Sequence, residues 1–328
     1  MKAIVNGRVI TITGATFEKG TILYDNGKIV GVGADLPVLE GAEVIDAAGY
    51  TVMPGLIDCH THLCLMHGRE TMPGHQDYNE MYDPATPNVR AIDALNPFDD
   101  AIEPVRGAGF TTCYTGPGSA NVIGGRGCSF KLRGTTAEEM FIPGSEQMKF
   151  ALGENPKRVY KGKNQLPSTR MGTAAIIREQ LIKAQKYLEK KEKAQEDPSK
   201  PEPEFNMKCE ALIPLLKRQV KAHFHCHRAD DIYTAIRIGR EFHLDYILVH
   251  CTEGYLIAED IAKEGIPAIC GPLLTARSKP ELSNATKANP GVLAKAGVLT
   301  AICTDHDVIP MPLLPTSAGF AVGEGMDY

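Results

Sequence analysis

Three absences narrow the class of protein before any motif is considered. The 328 residues contain no apolar run near the roughly 18 residues of a membrane span, and the start, MKAIVNGRVITITG, alternates instead of forming a signal-peptide core. The net charge of -5 lacks the basic excess that nucleic-acid binding needs. The nine cysteines show no C-x-x-C spacing, which predicts reduced thiols. We therefore expect a soluble, cytoplasmic protein with neither a membrane nor a nucleic acid as partner.

Two kinds of periodicity divide the chain. Residues 1–53 alternate apolar and polar positions around Asn6-Gly7 and Asn26-Gly27, which predicts a small antiparallel sheet with a hairpin at each pair. Residues 54–328 alternate apolar runs with helical patterns such as ADDIYTAIRIGREF and LIAEDIAKEG. The eight runs are GLIDCHTHL, GFTTCYT, CSFKLRG, QMKFALGE, VKAHFHCH, YILVHCT, IPAICGP and VLTAICTD. The fold class predicted is α/β, a (β/α)8 TIM barrel following a small N-terminal β-sandwich-like sheet.

One insertion interrupts the barrel pattern between its fourth and fifth strands. Residues 169–196 read as a long charged helix, and the proline-rich DPSKPEPEF follows it. A lid or a partner surface is one interpretation. We favour a solvated helix, because charged helix faces mostly contact water.

Four of the predicted strands carry histidine or aspartate where they end, which is the rim at which barrel enzymes place their catalytic groups. The first ends in His60-Thr61-His62, the sixth in His250 and the eighth in Asp305. Positions i and i+2 of a strand share a face, so His60 and His62 point the same way. Imidazole and carboxylate together are the ligands expected for Zn²⁺ or a similar divalent ion. The strand ends therefore predict a metal site.

The fifth strand, HFHCH, carries more histidines than one site needs. We select His225 as the ligand, with His227 as a substrate contact or a partner of the ligands, and expect His223 to be packed or at the surface. Histidines without a strand-end context are assigned structural or loop roles: His67, His75 and His243.

PGLIDCHTHL after a small sheet, followed in order by HFHCHRADDI, ILVHCTEG and AICTDH, resembles the amidohydrolase superfamily in its imidazolonepropionase-like and prolidase-like branch. The resemblance implies one or two divalent ions, Zn²⁺ first among them. It carries the ligand roles onto five residues of this sequence, which are His60, His62, His225, His250 and Asp305. Relatives continue beyond the segment like SAGFAVGEGMDY with a final helix and strands that complete the N-terminal sheet, so we expect either that residues are missing from this copy of the chain or that its sheet lacks those strands.

The resemblance also implies a ligand from the fourth strand, either a carboxylated lysine or a glutamate. QMKFALGEN offers Lys149 within the strand and Glu154 at its end, and two residues five apart cannot both face inward in a regular strand. We prefer Glu154, since it lies at the rim and needs no CO2 adduct, and keep Lys149 as the alternative.

The resemblance implies a hydrolase acting on carbon–nitrogen bonds of a small-molecule amide, a peptide or a cyclic amide. We expect a metal-activated hydroxide to attack the carbonyl, with Asp305 as general acid and base. Heterocycle deamination is an alternative weakened by the absence of a glutamate after the fifth-strand histidine. A catalytically inactive structural or interaction protein is the other alternative. The oligomeric state stays open, with a homo-oligomer among the options.

Further residues are candidates for binding substrate. Arg126, in the glycine-rich stretch 115–127 that we expect to be a pocket-lining loop, and Arg170 each have the fork that suits a substrate carboxylate. A surface salt bridge is an equal interpretation of both arginines. His306 is expected to orient Asp305 or to contact substrate.

Overall fold

The structure is a computed structural model that describes residues 1–66 and 76–327. His67 and His75 lie outside the described residues. The chain separates into two compact units, Met1–Leu56 and Ile57–Tyr328. That residues 1–53 and 54–328 are independent domains stays a prediction. Within the described ranges, no helix combines the length and the apolar character needed to cross a membrane, and all nine cysteines are free.

The N-terminal unit is a mixed sheet. Its strands are β1 Lys2–Ile10, β2 Thr16–Asp25, β3 Lys28–Gly33, β4 Glu43–Asp46 and β5 Thr51–Val52. Strand β1 pairs antiparallel with β2 but parallel with β4 and β5. The prediction of an antiparallel sheet was therefore wrong, because β4 and β5 both run in the same direction as β1.

The two Asn-Gly pairs have different outcomes. Asn26-Gly27 forms the predicted turn between β2 and β3, and both residues have positive φ, 47° and 75°. Asn6-Gly7 lies inside β1, where the register against β2 shifts between Ile4 and Gly7. Asn6 has φ 65° there, so the second hairpin prediction was wrong and the pair forms a β-bulge.

An eight-stranded sheet, in sequence order around a nearly closed barrel, dominates the second unit as described. Its strands are β6 Leu56–Thr61, β7 Phe110–Thr115, β8 Ile123–Lys131, β9 Gln147–Ala151, β10 Lys221–Cys226, β11 Tyr246–His250, β12 Ala268–Cys270 and β13 Thr300–Ile302. Each overlaps one of the eight predicted runs. The residues just after β13 return to β6, because His62 N donates to His306 O at 2.8 Å and Asp305 N donates to His60 O at 3.2 Å. The α/β barrel prediction is confirmed.

One strand departs from the all-parallel pattern. Strand β8 runs antiparallel to both β7 and β9. It also begins at Ile123, five residues before the predicted run, so 123–127 is strand and only 116–122 is the expected loop. Gly125 has φ 109°, and a Cβ at this position would lie 2.4 Å from Val89 O. A side chain there would therefore displace the segment 85–90, which pairs with the first half of β8.

Helices cover the outside of the described barrel. They are α1 Ile102–Gly107, α2 Ala137–Met140, α3 Glu154–Gly162, α4 Arg170–Glu196, α5 Met207–Leu216, α6 Ala229–Glu241, α7 Ala258–Glu264, α8 Asn289–Lys295 and α9 Leu314–Gly323. The main apolar core lies between strands and helices, with Phe150 and Phe224 stacked 5.0 Å apart. Helix α4 is the predicted insertion helix, and Ile177 and Leu181 on one face belong to this core.

Candidate metal centre

The carboxyl ends of the barrel strands surround a cavity of about 570 Å³. The five residues selected at strand ends all line it, namely His60, His62, His225, His250 and Asp305. Strand alternation explains the convergence, because inward positions two apart reach the mouth together. The structure thus brings these residues together, and their roles as ligands stay a prediction.

Two groups within the cavity have metal-binding geometry. His60, His62 and Asp305 form one, and their ligand atoms lie within 4.8 Å of one another. The Oδ1 atom of Asp305 is 3.2 Å from His60 Nε2 and 3.4 Å from His62 Nε2. The second group is His225, His227 and His250, with the 225 and 250 rings 4.4 Å apart. Sequence reasoning placed His227 beside the ligands, and the structure puts it within this group.

Hydrogen bonds at Nδ1 fix the tautomer of two of these imidazoles. His62 Nδ1 lies 2.7 Å from Gly116 O, and His250 Nδ1 lies 2.8 Å from Gly271 O. A carbonyl oxygen only accepts, so each Nδ1 carries the proton and donates it. A neutral ring that carries its proton on Nδ1 keeps a lone pair on Nε2. This is the arrangement seen around metal-ligating histidines.

Burial favours the neutral form of the histidines. It lowers the pKa of His250 to about 4, the carboxylate of Asp305 opposing the shift. It also holds the pKa of His60 and His225 well below the ordinary value, with Lys149 adding to the effect at His60 and His250 at His225. For Asp305, burial opposes ionisation, but the pKa nevertheless falls well below its usual range among the surrounding histidines. Burial thus favours neutral rings at His60, His225 and His250, and Asp305 stays ionised in the same cavity.

Several buried polar atoms in the cavity support the fit of a divalent ion. His60 Nε2, His225 Nε2 and Lys149 Nζ are buried and make no hydrogen bond to any described residue. Such atoms carry a desolvation cost unless a partner satisfies them: an imidazole Nε2 with a lone pair needs a donor or a cation, and the lysine amine needs an acceptor or a covalent modification. Imidazole nitrogens and carboxylate oxygens are ligands that suit Zn²⁺ and similar ions. The donor set therefore fits a divalent metal.

The fourth-strand position separates the two candidates clearly. Lys149 points into the cavity from β9, is 1% exposed, and has its pKa lowered to about 8 by burial. Strand β9 ends at Ala151, so Glu154 already belongs to α3, where its backbone N donates to Glu281 Oε2 at 2.9 Å. Glu154 is absent from the described cavity lining. Lys149 therefore lies at the cavity and Glu154 outside its described lining, and the role of either residue as a ligand stays a prediction.

The two candidate substrate arginines are engaged elsewhere. Arg126 Nη1 is 3.2 Å from Glu146 Oε1, and Arg170 Nε is 3.0 Å from both carboxylate oxygens of Asp231. Neither arginine is among the described residues that line the cavity. Of the two interpretations given to each, the salt bridge matches the contacts.

His227 and His306 lie differently with respect to the cavity. His227 lines it, with Nδ1 2.7 Å from Thr252 Oγ1 and Nε2 3.4 Å from Lys279 Nζ. His306 is absent from the described lining, and its Nδ1 accepts a hydrogen bond from Met311 N at 3.2 Å. Its backbone oxygen holds the end of β6 through His62 N, so it positions the ligand segment through its main chain.

The structure adds residues that sequence reasoning missed. Tyr78, Asn79, Lys279 and Asp307 line the cavity from the segments that follow β6, β12 and β13. The strand ends gave a signal for where such loops begin, but nothing in the sequence indicated which loop residues turn inward. His223, expected to be packed or at the surface, is fully buried and contacts His60. His243, at φ 52° after α6, keeps the loop role assigned to it.

Comparisons with known proteins identify the chain's relatives. A crystal structure of an amidohydrolase from Thermotoga maritima MSB8 is 40% identical, covers 100% of this chain and 84% of its own, and superimposes with a TM-score of 0.95. Amidohydrolase tasK of Hapsidospora irregularis is 30% identical over 73% of this chain, which spans about a quarter of that curated relative (27%). No protein-family model matches the chain.

A more distant structure shares the fold alone. A Xaa-Pro dipeptidase with methionine bound in its active site is 16% identical, with a TM-score of 0.53, and the match covers 99% of this chain and 83% of the dipeptidase.

Proposed function

The chain belongs to the amidohydrolase superfamily, and we propose that it hydrolyses a carbon–nitrogen bond of a small amide, peptide or cyclic amide with one or two divalent ions, Zn²⁺ first among them. The observation that carries this proposal is the convergence of two imidazole Nε2 atoms on Asp305 Oδ1 inside the barrel mouth. A cavity of about 570 Å³ has the size of a small-molecule site. The dipeptidase of the same fold makes a dipeptide one substrate to test.

The residues that would hold the ions fall into two sets. His60, His62 and Asp305 would hold one ion, and His225 with His250 would hold a second. Lys149 lies in the same cavity, and a carbamate on its Nζ would supply the fourth-strand ligand. A divalent ion bound there lowers the pKa of a coordinated water from about 15.7 toward about 7 and polarises a carbonyl oxygen.

Asp305 is the residue we assign to proton transfer. Its side chain is ionised and points into the cavity, which suits a base that takes the proton of the attacking water and passes it to the leaving nitrogen. Its backbone is held by the bond to His60 O, so the carboxylate stays at the mouth. Lys279 and His227, at another part of the wall, would contact the rest of the substrate.

Deamination lacks a matching acid in this cavity. The aspartates that follow the fifth-strand histidines are Asp230, which pairs with Arg228 at 2.9 Å, and Asp231, which pairs with Arg170. Neither is part of the described cavity lining. The geometry therefore supports hydrolysis over deamination.

The test is a screen of metal-loaded protein against dipeptides, N-acyl amino acids and cyclic amides. We expect turnover on one of these classes, and Asp305→Asn should bind metal but lose about 10²-fold or more in kcat, as expected for loss of a general acid and base. Asp230→Asn is the matched control and should retain the wild-type rate. Near-normal turnover by Asp305→Asn would exclude the assigned role.

Ammonia release from a heterocycle would favour deamination instead, and metal-free purified protein without activity would favour an inactive relative.

A further inference from the structure

A row of three hydrogen-bonded side chains leads from β9 through β10 to His60 in the cavity wall. Gln147 on β9, His223 on β10 and His60 on β6 contribute to it. Gln147 Oε1 is 2.7 Å from His223 Nδ1, and His223 Nε2 is 3.0 Å from His60 Nδ1. His223 is 0% exposed and His60 is 1% exposed, so solvent does not compete for the contact between the two rings, and Gln147 is partly buried.

The row has a fixed direction. The amide oxygen of Gln147 only accepts, so His223 Nδ1 carries a proton and donates it. In neutral His223, Nε2 is then an acceptor, and the proton between the two rings must come from His60 Nδ1. His60 Nε2 is left with its lone pair, 3.2 Å from Asp305 Oδ1. One amide oxygen two residues from Lys149 thus sets the tautomer of a ring on another strand.

If His223 donated the proton between the two rings instead, the protonation of the metal site would change. His60 would then carry its proton on Nε2 and donate it to the ionised Asp305, which is a charge-assisted bond. That bond would use the lone pairs of both groups and compete with a cation. His62 and His250 are protected from this outcome because backbone carbonyls fix their tautomers, whereas His60 depends on two side chains.

We propose that Gln147 and His223 are positioning residues that hold His60 in its Nδ1–H tautomer and thereby set the affinity of the His60, His62 and Asp305 site for a divalent ion. The inference rests on the metal site of the proposed function and not on the reaction or its substrate. Partners of metal-ligating histidines that act in this way typically change metal affinity by 10- to 100-fold when they are removed.

Two measurements test the proposal. Long-range ¹H–¹⁵N spectra of metal-free wild-type protein report the tautomer of each imidazole, and His60, identified by the signals lost in His60→Asn, should carry its proton on Nδ1. Competition with a chromophoric chelator for Zn²⁺ then measures affinity. Gln147→Met, which removes the acceptor, should bind Zn²⁺ about 10- to 100-fold more weakly than wild type. Gln147→Glu, whose carboxylate also only accepts, should stay within about threefold of wild type or bind more tightly.

Tyr114→Phe is the matched control for packing. The Tyr114 ring stacks on His223 with centroids 4.9 Å apart, but its hydroxyl takes no part in the row. The Tyr114→Phe variant should bind Zn²⁺ with the affinity of wild type. An Nε2–H tautomer of His60 in the metal-free protein, or wild-type affinity in Gln147→Met, would overturn the proposal. Protein that shows the expected tautomer and affinities but hydrolyses nothing would contradict the proposed function and leave this inference intact.

Discussion

Asp231 on α6 is a single carboxyl group on which burial and a counter-ion act in opposite directions. Burial raises its pKa to about 6, and the guanidinium of Arg170 opposes this shift without cancelling it. An aspartate whose folded-state pKa is raised contributes stability that is present below its unfolded pKa, about 4, and is lost as pH rises through about 6. The relevant window is therefore about pH 4 to 6.

We predict that Asp231→Asn removes this pH dependence. Between pH 4.5 and 7.5 the free energy of unfolding of wild type should fall relative to the variant by on the order of 2 kcal/mol. Urea unfolding at both pH values measures the difference. Asp230→Asn, on the same helix but exposed, should track wild type at both. A constant difference between wild type and Asp231→Asn, or one of opposite sign, would contradict the prediction.

Residue by residue, the sequence predicted the site where strand periodicity controls direction. His60, His62 and His225 follow from alternation and from the position of strand ends. The sequence could not separate Lys149 from Glu154, because it does not show that β9 ends at Ala151 and that Glu154 begins a helix. Side chains whose partners are remote in sequence, such as Arg170 with Asp231, cannot be assigned by periodicity at all.

Among the elements, the insertion helix α4 has a defined beginning. Thr169 has extended backbone geometry, and its Oγ1 accepts from Gly172 N at 3.1 Å, which satisfies one of the free N–H groups of the first turn. The sequence placed this helix within one residue because its lysine, glutamate and glutamine residues favour a helix over many turns.

We predict that Thr169→Ala lowers the free energy of unfolding by about 1 kcal/mol, since the capping acceptor is lost. Urea unfolding checks this, with Thr169→Ser as the variant that keeps the acceptor and Ser168→Ala as the neighbouring control. Both controls should stay within about 0.5 kcal/mol of wild type. Equal stability of Thr169→Ala and wild type would show that the cap contributes nothing to α4.

Elements defined by long-range pairing were predicted less well than α4. Asn26-Gly27 behaves as its local preference indicates, whereas Asn6-Gly7 uses the same positive φ to form a bulge inside a strand. The direction of β8 also escaped prediction, because residue patterns show that a segment is a strand but not which way it runs beside its neighbours.

For the whole molecule, the proposed metal centre predicts that stability depends on bound metal. A ligand that binds the folded state at 100 times its Kd adds about 2.7 kcal/mol. Zn²⁺ added to chelator-treated protein should therefore raise Tm by roughly 5 °C. His250→Ala should lose most of that rise, while His243→Asn, exposed and outside the cavity, should keep it. A Tm unaffected by Zn²⁺ in wild type would argue against the metal centre.

The reversed strand β8 also has a consequence for anyone who would redesign this barrel. Because β7 and β8 form a hairpin, they are joined at the mouth by the short turn 116–122. In an all-parallel barrel, each of these two strands would contribute its own loop at the mouth. The segment after β8, residues 132–146, emerges at the opposite end of the barrel. Variation in 132–146 is therefore expected to leave substrate choice unaltered, whereas libraries in 116–122 change the wall next to Ser119 and Ala120.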